Sequence, residues 1–213
     1  MTPIETERLI IKHGEIEDYV KVHEFDFNYL ENIDGIFESV KRDPDEVRSW
    51  FDNDSSMEEH YKRLEKNKSY NFIVYLKDTL EPIGNIGFDR YNEKLNGLEI
   101  SCYIHPNYWG NGYVKEALIS SMEYIYSLGF DNIIYGYMKG NTKSKKNCGK
   151  LGFIPYEQVP TNTFLGNESI EYRNIMSKEN YYKLYKGKTI RWFYEWENKY
   201  IRNCKWSRRK RIT

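Results

Sequence analysis

Residues 98–118 read Leu-Glu-Ile-Ser-Cys-Tyr-Ile-His-Pro-Asn-Tyr-Trp-Gly-Asn-Gly-Tyr-Val-Lys-Glu-Ala-Leu, and the pattern changes twice along them. The first seven residues are mostly apolar and aromatic, as in a strand. Residues 105–112 hold a proline and two glycines and read as a loop. From there Val114, Ala117, Leu118, Met122, Ile125 and Tyr126 recur at helical spacing, and Gly129 is placed to cap the helix end. In a strand, glycine loop and helix in that order, backbone amides can approach a phosphate that a Cβ would hold away, and the helix dipole adds to the attraction. Two glycines in a loop describe a plain tight turn equally well.

Working outward, residues 70–76 and 82–90 are rich in β-branched and aromatic side chains, with turn signals at Asp78-Thr79 and Asn96-Gly97. With 98–104 they predict three consecutive antiparallel strands. Residues 7–12 predict a first strand and 16–27 a helix. Residues 31–60 carry ten acids against three basic residues and predict two short helices around a break at Pro44. Downstream, 133–137 predicts a strand, 142–150 a polar helix closed by Leu151-Gly152-Phe153, and 169–176 a last strand. The aromatic, basic segment 181–206 predicts a helix broken near Gly187.

The 213 residues suit one domain with an extension, here 1–177 followed by 178–213. Cys102, Cys148 and Cys204 have neither disulfide-framework nor metal-ligand spacing, so no metal is expected and a reducing cytoplasm fits. No stretch approaches the length of a membrane span, and no membrane partner is expected. The formal net charge of zero hides an asymmetry: residues 1–180 carry −9 and residues 181–213 carry +9. The basic end, Ser207-Arg208-Arg209-Lys210-Arg211, either contacts nucleic acid or the ribosome or is solvated or docked on the acidic body. For the aromatic part of the extension, packing on the body or in a homodimer is the expected use.

Several motifs in order resemble one family. Glu99-Ile100-Ser101-Cys102-Tyr103, the loop Pro106 to Tyr113, Glu116-Ala117, Asn141-x-x-Ser144 and Leu151-Gly152-Phe153 are similar to the GNAT acetyltransferases, closest to the ribosomal-protein N-terminal acetyltransferase branch. The resemblance covers roughly residues 5–177. The superfamily's loop usually starts with Gln or Arg and closes with Gly or Ala, where this chain has Trp109 and Val114; the amide at 114 does not depend on its side chain. The resemblance implies an α+β fold, with a central mixed, mostly antiparallel sheet flanked by helices. It implies acetyl-CoA as co-substrate and transfer of the acetyl group to an amine by direct attack in a ternary complex.

By that resemblance the amides of Trp109, Gly110, Asn111, Gly112, Tyr113 and Val114 hold the coenzyme pyrophosphate. The strand through Tyr103 and Ile104 pairs with the pantetheine arm and splays from strand 133–137, while Asn141 and Ser144 line the other side. Asn141 is also placed to cap the helix that follows. A lysine-like amine costs about 4.6 kcal/mol to deprotonate at neutral pH and an α-amine only about 1 kcal/mol, so a general base matters more for the former. Glu99 is the first candidate, or else a carboxylate on the solvent face of its strand, since alternation alone does not decide its direction. Glu116 sits where an acid suits the helix dipole anyway. Ser144 matches the position that protonates the departing thiolate, with Tyr103 and Tyr156 as alternatives, and a backbone N–H near Tyr103 or Ile104 is placed to stabilise the oxyanion. His13, His23, His60 and His105 lack nucleophile or metal spacing and are assigned to structure.

Three functions fit this reading. The acceptor amine belongs to a protein or peptide N-terminus, or to a cationic small molecule such as an aminoglycoside-like antibiotic or a polyamine. The third is a catalytically silent acyl-CoA-binding module. The acidic segment 31–60 favours a cationic acceptor of either size.

Overall fold

The computed structural model of the chain describes residues 1–24, 42–163 and 165–185. It divides into two compact units, Met1–Ser177 and Lys178–Thr213. The first is an eight-stranded sheet: β1 (Ile4–Glu5), β2 (Leu9–Lys12), β3 (Tyr70–Leu76), β4 (Pro82–Asn92), β5 (Gly97–Ile104), β6 (Asn132–Met138), β7 (Ile154–Asn162) and β8 (Glu168–Ser177). Strands lie in the order β1-β2-β3-β4-β5-β6-β8-β7, and every pairing is antiparallel except β5 with β6. Its helices are α1 (Ile16–His23), α2 (Pro44–Ser49), α3 (Met57–Lys66), α4 (Tyr113–Ser127) and α5 (Thr142–Leu151). Of the second unit the structure describes α6 (Lys178–Tyr185). No helix among the described residues is long and apolar enough to cross a membrane.

The parallel pair requires a crossover, and α4 supplies it. Ala117, Leu118, Ser121, Met122, Ile125 and Tyr126 are buried, at the spacing of one helix face. Tyr124 meets Phe72 of β3 edge to face, and the Tyr126 hydroxyl donates to the Met176 carbonyl at 2.7 Å, tying α4 to β8. Replacing Leu118 by Ala would cost about 2–5 kcal/mol, since no solvent reaches it. The helix ends at Leu128, with Gly129 at φ +100°, a left-handed position that carbon-bearing side chains resist.

The opposite face of the sheet is covered by α1–α3. Tyr19, Val22, Val47, Phe51 and Tyr61 pack there with Ile73 and Tyr75 of β3. Glu15 and Asp18 form a reciprocal capping box at the start of α1.

Pro44 opens α2 behind the cap of Asp43, where the missing proline N–H costs nothing, and the residues before position 42 as far back as 25 lie outside the described ones. Three expectations change. Only the last four residues of 7–12 are strand, β2. The predicted helix 16–27 is helical over Ile16–His23; the rest of that segment beyond Glu24, like the acidic residues 31–41, lies outside the described residues. The third change is β7, which the sequence analysis does not predict and which carries Pro155 and Pro160, residues that a central strand excludes. It runs along the sheet edge, where a missing N–H breaks no second ladder.

Candidate functional site

The parallel register of β5 and β6 runs Gly97↔Asn132, Leu98↔Ile133, Glu99↔Ile134 and Ile100↔Tyr135, and stops. Beyond it β5 stays with β4 as far as Gly84↔Ile104, while β6 stays with β8 as far as Met138↔Glu171. The two strands therefore part at Ser101, leaving the β5 edge over 101–104 without a partner strand. A cavity of about 530 Å³ opens at this split. Cys102, Tyr103 and Ile104 form its β5 wall, Trp109, Gly110, Gly112, Tyr113 and Val114 its loop and helix end, and Asn141 and Ser144 its α5 wall.

The loop is shaped for an anion. Gly110 and Gly112 stand at φ +84° and +78°, left-handed values that turn the chain into α4. The amides of Gly110, Asn111, Gly112, Tyr113 and Val114 donate to no acceptor among the described residues, whereas Lys115 and Glu116 donate to the Gly112 carbonyl at 3.1 and 3.2 Å. Five successive N–H groups without an acceptor among the described residues stand at the start of a 15-residue helix, an arrangement that suits an anion. The Trp109 amide is not among them, because it donates to the Pro106 carbonyl at 3.1 Å. Its indole N–H instead holds the Ile104 carbonyl at 2.6 Å, locking the loop to the end of β5. Asn111 does not line the cavity; its side chain donates to the Tyr108 and Trp109 carbonyls at 3.1 and 3.3 Å.

Four lysines on the cavity wall escaped the sequence reading: Lys115, Lys143, Lys146 and Lys150. Three recur along α5 at a spacing that puts them on one face, which is the signal that could have revealed them. Lys143 lies 3.7 Å from the centroid of the Trp109 ring, so the α5 wall and the loop meet over the cavity.

Asn141 caps α5, its Oδ1 accepting the Ser144 amide at 3.0 Å, so its side chain is committed to the helix start. Ser144 and Tyr135 both line the cavity, and Tyr135 is a further residue that the sequence did not single out. Burial, and then the nearby Cys102, push the Tyr135 phenol well up, so it holds its proton. Burial pushes the Cys102 thiol up to about 12, which makes it a poor nucleophile.

Three candidate acids and bases lie elsewhere. Glu99 is outside the cavity, its carboxylate 2.9 Å from Arg90 Nη1 and 3.6 Å from Arg173 Nη2. Tyr156 is on edge strand β7, 47% exposed and outside the cavity. Glu116 accepts from the Thr6 hydroxyl at 2.6 Å and pairs with Arg8 at 2.6 Å. The histidines make ring contacts: His13 stacks on Tyr61 at 3.7 Å, His23 on Tyr103 at 5.8 Å, and His105 meets Tyr108 edge-on at 6.0 Å. His60 bonds Asp54 at 2.8 Å.

The sequence and the fold have known counterparts. The uncharacterized N-acetyltransferase YoaA of Bacillus subtilis (strain 168) is 35% identical over 78 residues, 36% of this chain and 44% of YoaA. The chain thus aligns with about half the length of this curated relative. Among solved structures, a GNAT-family acetyltransferase from Bacillus anthracis superposes with a TM-score of 0.65 at 24% identity, over 84% of this chain and 99% of that one. RimL, a ribosomal L7/L12 alpha-N-protein acetyltransferase solved with coenzyme A, gives 0.67 at 10% identity over 84% and 99%. These two likenesses are of fold. The model of the acetyltransferase (GNAT) domain matches residues 8–154, more than half of the sequence, and the chain belongs to that family.

Proposed function

We propose that the chain is an N-acetyltransferase that moves the acetyl group of acetyl-CoA to a primary amine in a ternary complex. The observation that carries this reading is the run of amides from Gly110 to Val114, without an acceptor among the described residues, at the mouth of a cavity whose other wall is the unpaired edge of β5. The residues fit the coenzyme: the amides and lysines suit its phosphates, and the open backbone edge over 101–104 suits the amides of its pantetheine arm. Acetyl-CoA supplies an activated acyl carbon.

On this reading the amine nitrogen forms a bond to the acetyl carbon, the carbon–sulfur bond breaks, and the thiolate leaves. Ser144 gives the departing sulfur a hydrogen bond and through it a proton. A backbone N–H on the open edge near Tyr103 or Ile104 stabilises the developing oxyanion. The proposed base is Glu99, acting through water, since Arg90 and Arg173 pair with its carboxylate.

The acceptor is proposed to be cationic, in the first place a protein or peptide N-terminus and in the second a cationic small molecule. The net charge of −9 on residues 1–180 supports attraction of either. The segment 178–213 is proposed as a basic extension, outside the chemistry.

Initial rates with both substrates varied test the ternary complex. Intersecting double-reciprocal lines are expected; parallel lines would mean a covalent acetyl-enzyme and would contradict direct attack.

A further inference from the structure

A second cavity, of about 200 Å³, lies on the α1–α3 face of the sheet, and its floor is a hole at Gly87. By register, Gly87 of β4 stands opposite Asn71 of β3 on one side and Ser101 of β5 on the other. Asn85 and Asp89 flank it along β4 on the same face, since side chains alternate along a strand. All four neighbours of the missing side chain are therefore polar, and all four line the cavity. A Cβ at Gly87 would stand 2.6 Å from Ser101 Oγ and 3.9 Å from Asn71 Oδ1, so any larger residue would intrude on this ring.

Asn71 Oδ1 and Asn85 Oδ1 are buried and accept no hydrogen bond from the described residues. A buried carbonyl left unpaired is costly, so a donor that reaches these oxygens is favoured. Both amides turn about a soft terminal torsion, so a donor entering at Gly87 can be met by both oxygens. Ser101 is exposed, which opens the hole to solvent. It is also where β5 leaves β6, one pleat repeat or about 7 Å from Tyr103 on the wall of the coenzyme cavity.

The ring offers two amide oxygens and the Asp89 carboxylate. An alkylammonium has three N–H donors and no acceptor, and it matches this set in number and in charge. The aromatic sides of Tyr70 and Trp50 line the same cavity and suit an alkyl stem. A cavity of about 150 Å³ holds a six-carbon molecule, so this one takes a short aminoalkyl arm.

We infer that the hole at Gly87 is the acceptor subsite, taking a primary ammonium on an aminoalkyl arm through Asn71, Asn85 and Asp89. The assignment of the site as an acceptor pocket rests on the proposed acetyl transfer; the ammonium recognition stands on the ring itself.

The test is binding, independent of turnover. Saturation-transfer NMR and calorimetry on the full chain would compare n-butylammonium with n-butanol, its uncharged counterpart. Binding of the ammonium and not the alcohol is expected, weakened about tenfold or more in Asp89→Asn and in Asn71→Leu, since hydrogen bonds to charged groups are the strong ones. Asp89→Asn keeps the shape of the side chain and so guards against a variant that misfolds. Equal binding by the variants and the parent chain, or no binding of the ammonium, would overturn the inference. Acetyl-CoA affinity of the parent chain separates the two readings: coenzyme binding with no ammonium binding by the parent chain defeats only the subsite, and ammonium binding without coenzyme binding defeats only the proposed transfer.

Discussion

Arg8 and Glu116, 108 positions apart in sequence, meet with Nη2 and Oε2 at 2.6 Å and Nε and Oε2 at 2.8 Å. The same guanidinium donates to the Asn111 carbonyl at 3.0 Å and lies over the Tyr113 ring at 4.6 Å. A residue just before β2 thus braces the glycine loop and the first turn of α4. Burial works against the Glu116 carboxylate, but hydrogen bonds from Thr6 and Arg8 outweigh it and hold its pKa below the ordinary value. The stability this pairing adds is present above the unfolded pKa and is lost as the pH falls through the lower folded one.

Arg8→Ala is expected to raise the KM for acetyl-CoA several-fold with little change in kcat, because it frees the loop without touching the reacting atoms. The stability loss should be about 1 kcal/mol, since the guanidinium is 43% exposed and partly screened. A thermal-unfolding cycle with Glu116→Gln checks the pairing: the double variant should lose less than the sum of the single losses, and strict additivity would mean that the two residues act separately.

Gly112→Val should weaken acetyl-CoA binding at least tenfold, measured by calorimetry. Space is not the obstacle, because a Cβ there meets only Arg8 Nη2, at 3.8 Å. The obstacle is the φ of +78°, which a β-branched residue tolerates poorly, so the loop shifts and the amides lose their alignment. Unchanged affinity would remove the loop from the phosphate site.

Lys146→Gln with Lys150→Gln should lower acetyl-CoA affinity and flatten its dependence on salt, because exposed cations facing phosphates are screened within roughly 10 Å at 0.1 M salt. Affinity measured from low to moderate ionic strength checks this. A salt dependence as steep as that of the parent chain would show that these lysines do not face the coenzyme.

The helical stretches, the three central strands and the glycine loop were legible because each is set by short-range pattern: alternation, 3.6-residue spacing, or a glycine that must take a left-handed φ. What was not legible depends on partners distant in sequence. Glu99 reads as a free carboxylate until Arg90 and Arg173 are seen beside it. Glu116 reads as a dipole-favoured acid until Arg8 arrives from the N-terminal segment. The ring around Gly87 joins three strands and has no linear signature. β7 holds Pro155 and Pro160, and tolerance of proline depends on which strand forms the edge.

His13 gives a pH signature of the fold. It stacks between Tyr61 at 3.7 Å and Phe72 at 5.9 Å, and burial, followed by the positive N-terminus and His60, lowers its pKa from 6.5 to about 4. The unfolded chain binds this proton first, so stability is full above pH 6.5 and falls as the pH drops from there toward 4. At about pH 5 the loss is at most about 2 kcal/mol, and nearer 1 once solvent around a half-buried ring is allowed for. The Tm difference between about pH 7 and pH 5 should shrink in His13→Phe; an unchanged difference would mean that His13 titrates normally.

The most direct test of acetyl transfer is release of free CoA from acetyl-CoA with a panel of amines: a basic peptide with a free N-terminus, an N-blocked lysine peptide, a polyamine and an aminoglycoside. Amine-dependent release with at least one of them, matched by the acetylated amine in the mass spectrum, is the predicted result. Tight acetyl-CoA binding with no amine-dependent release across the panel would contradict it and leave the cavity as that of a silent acyl-CoA-binding module.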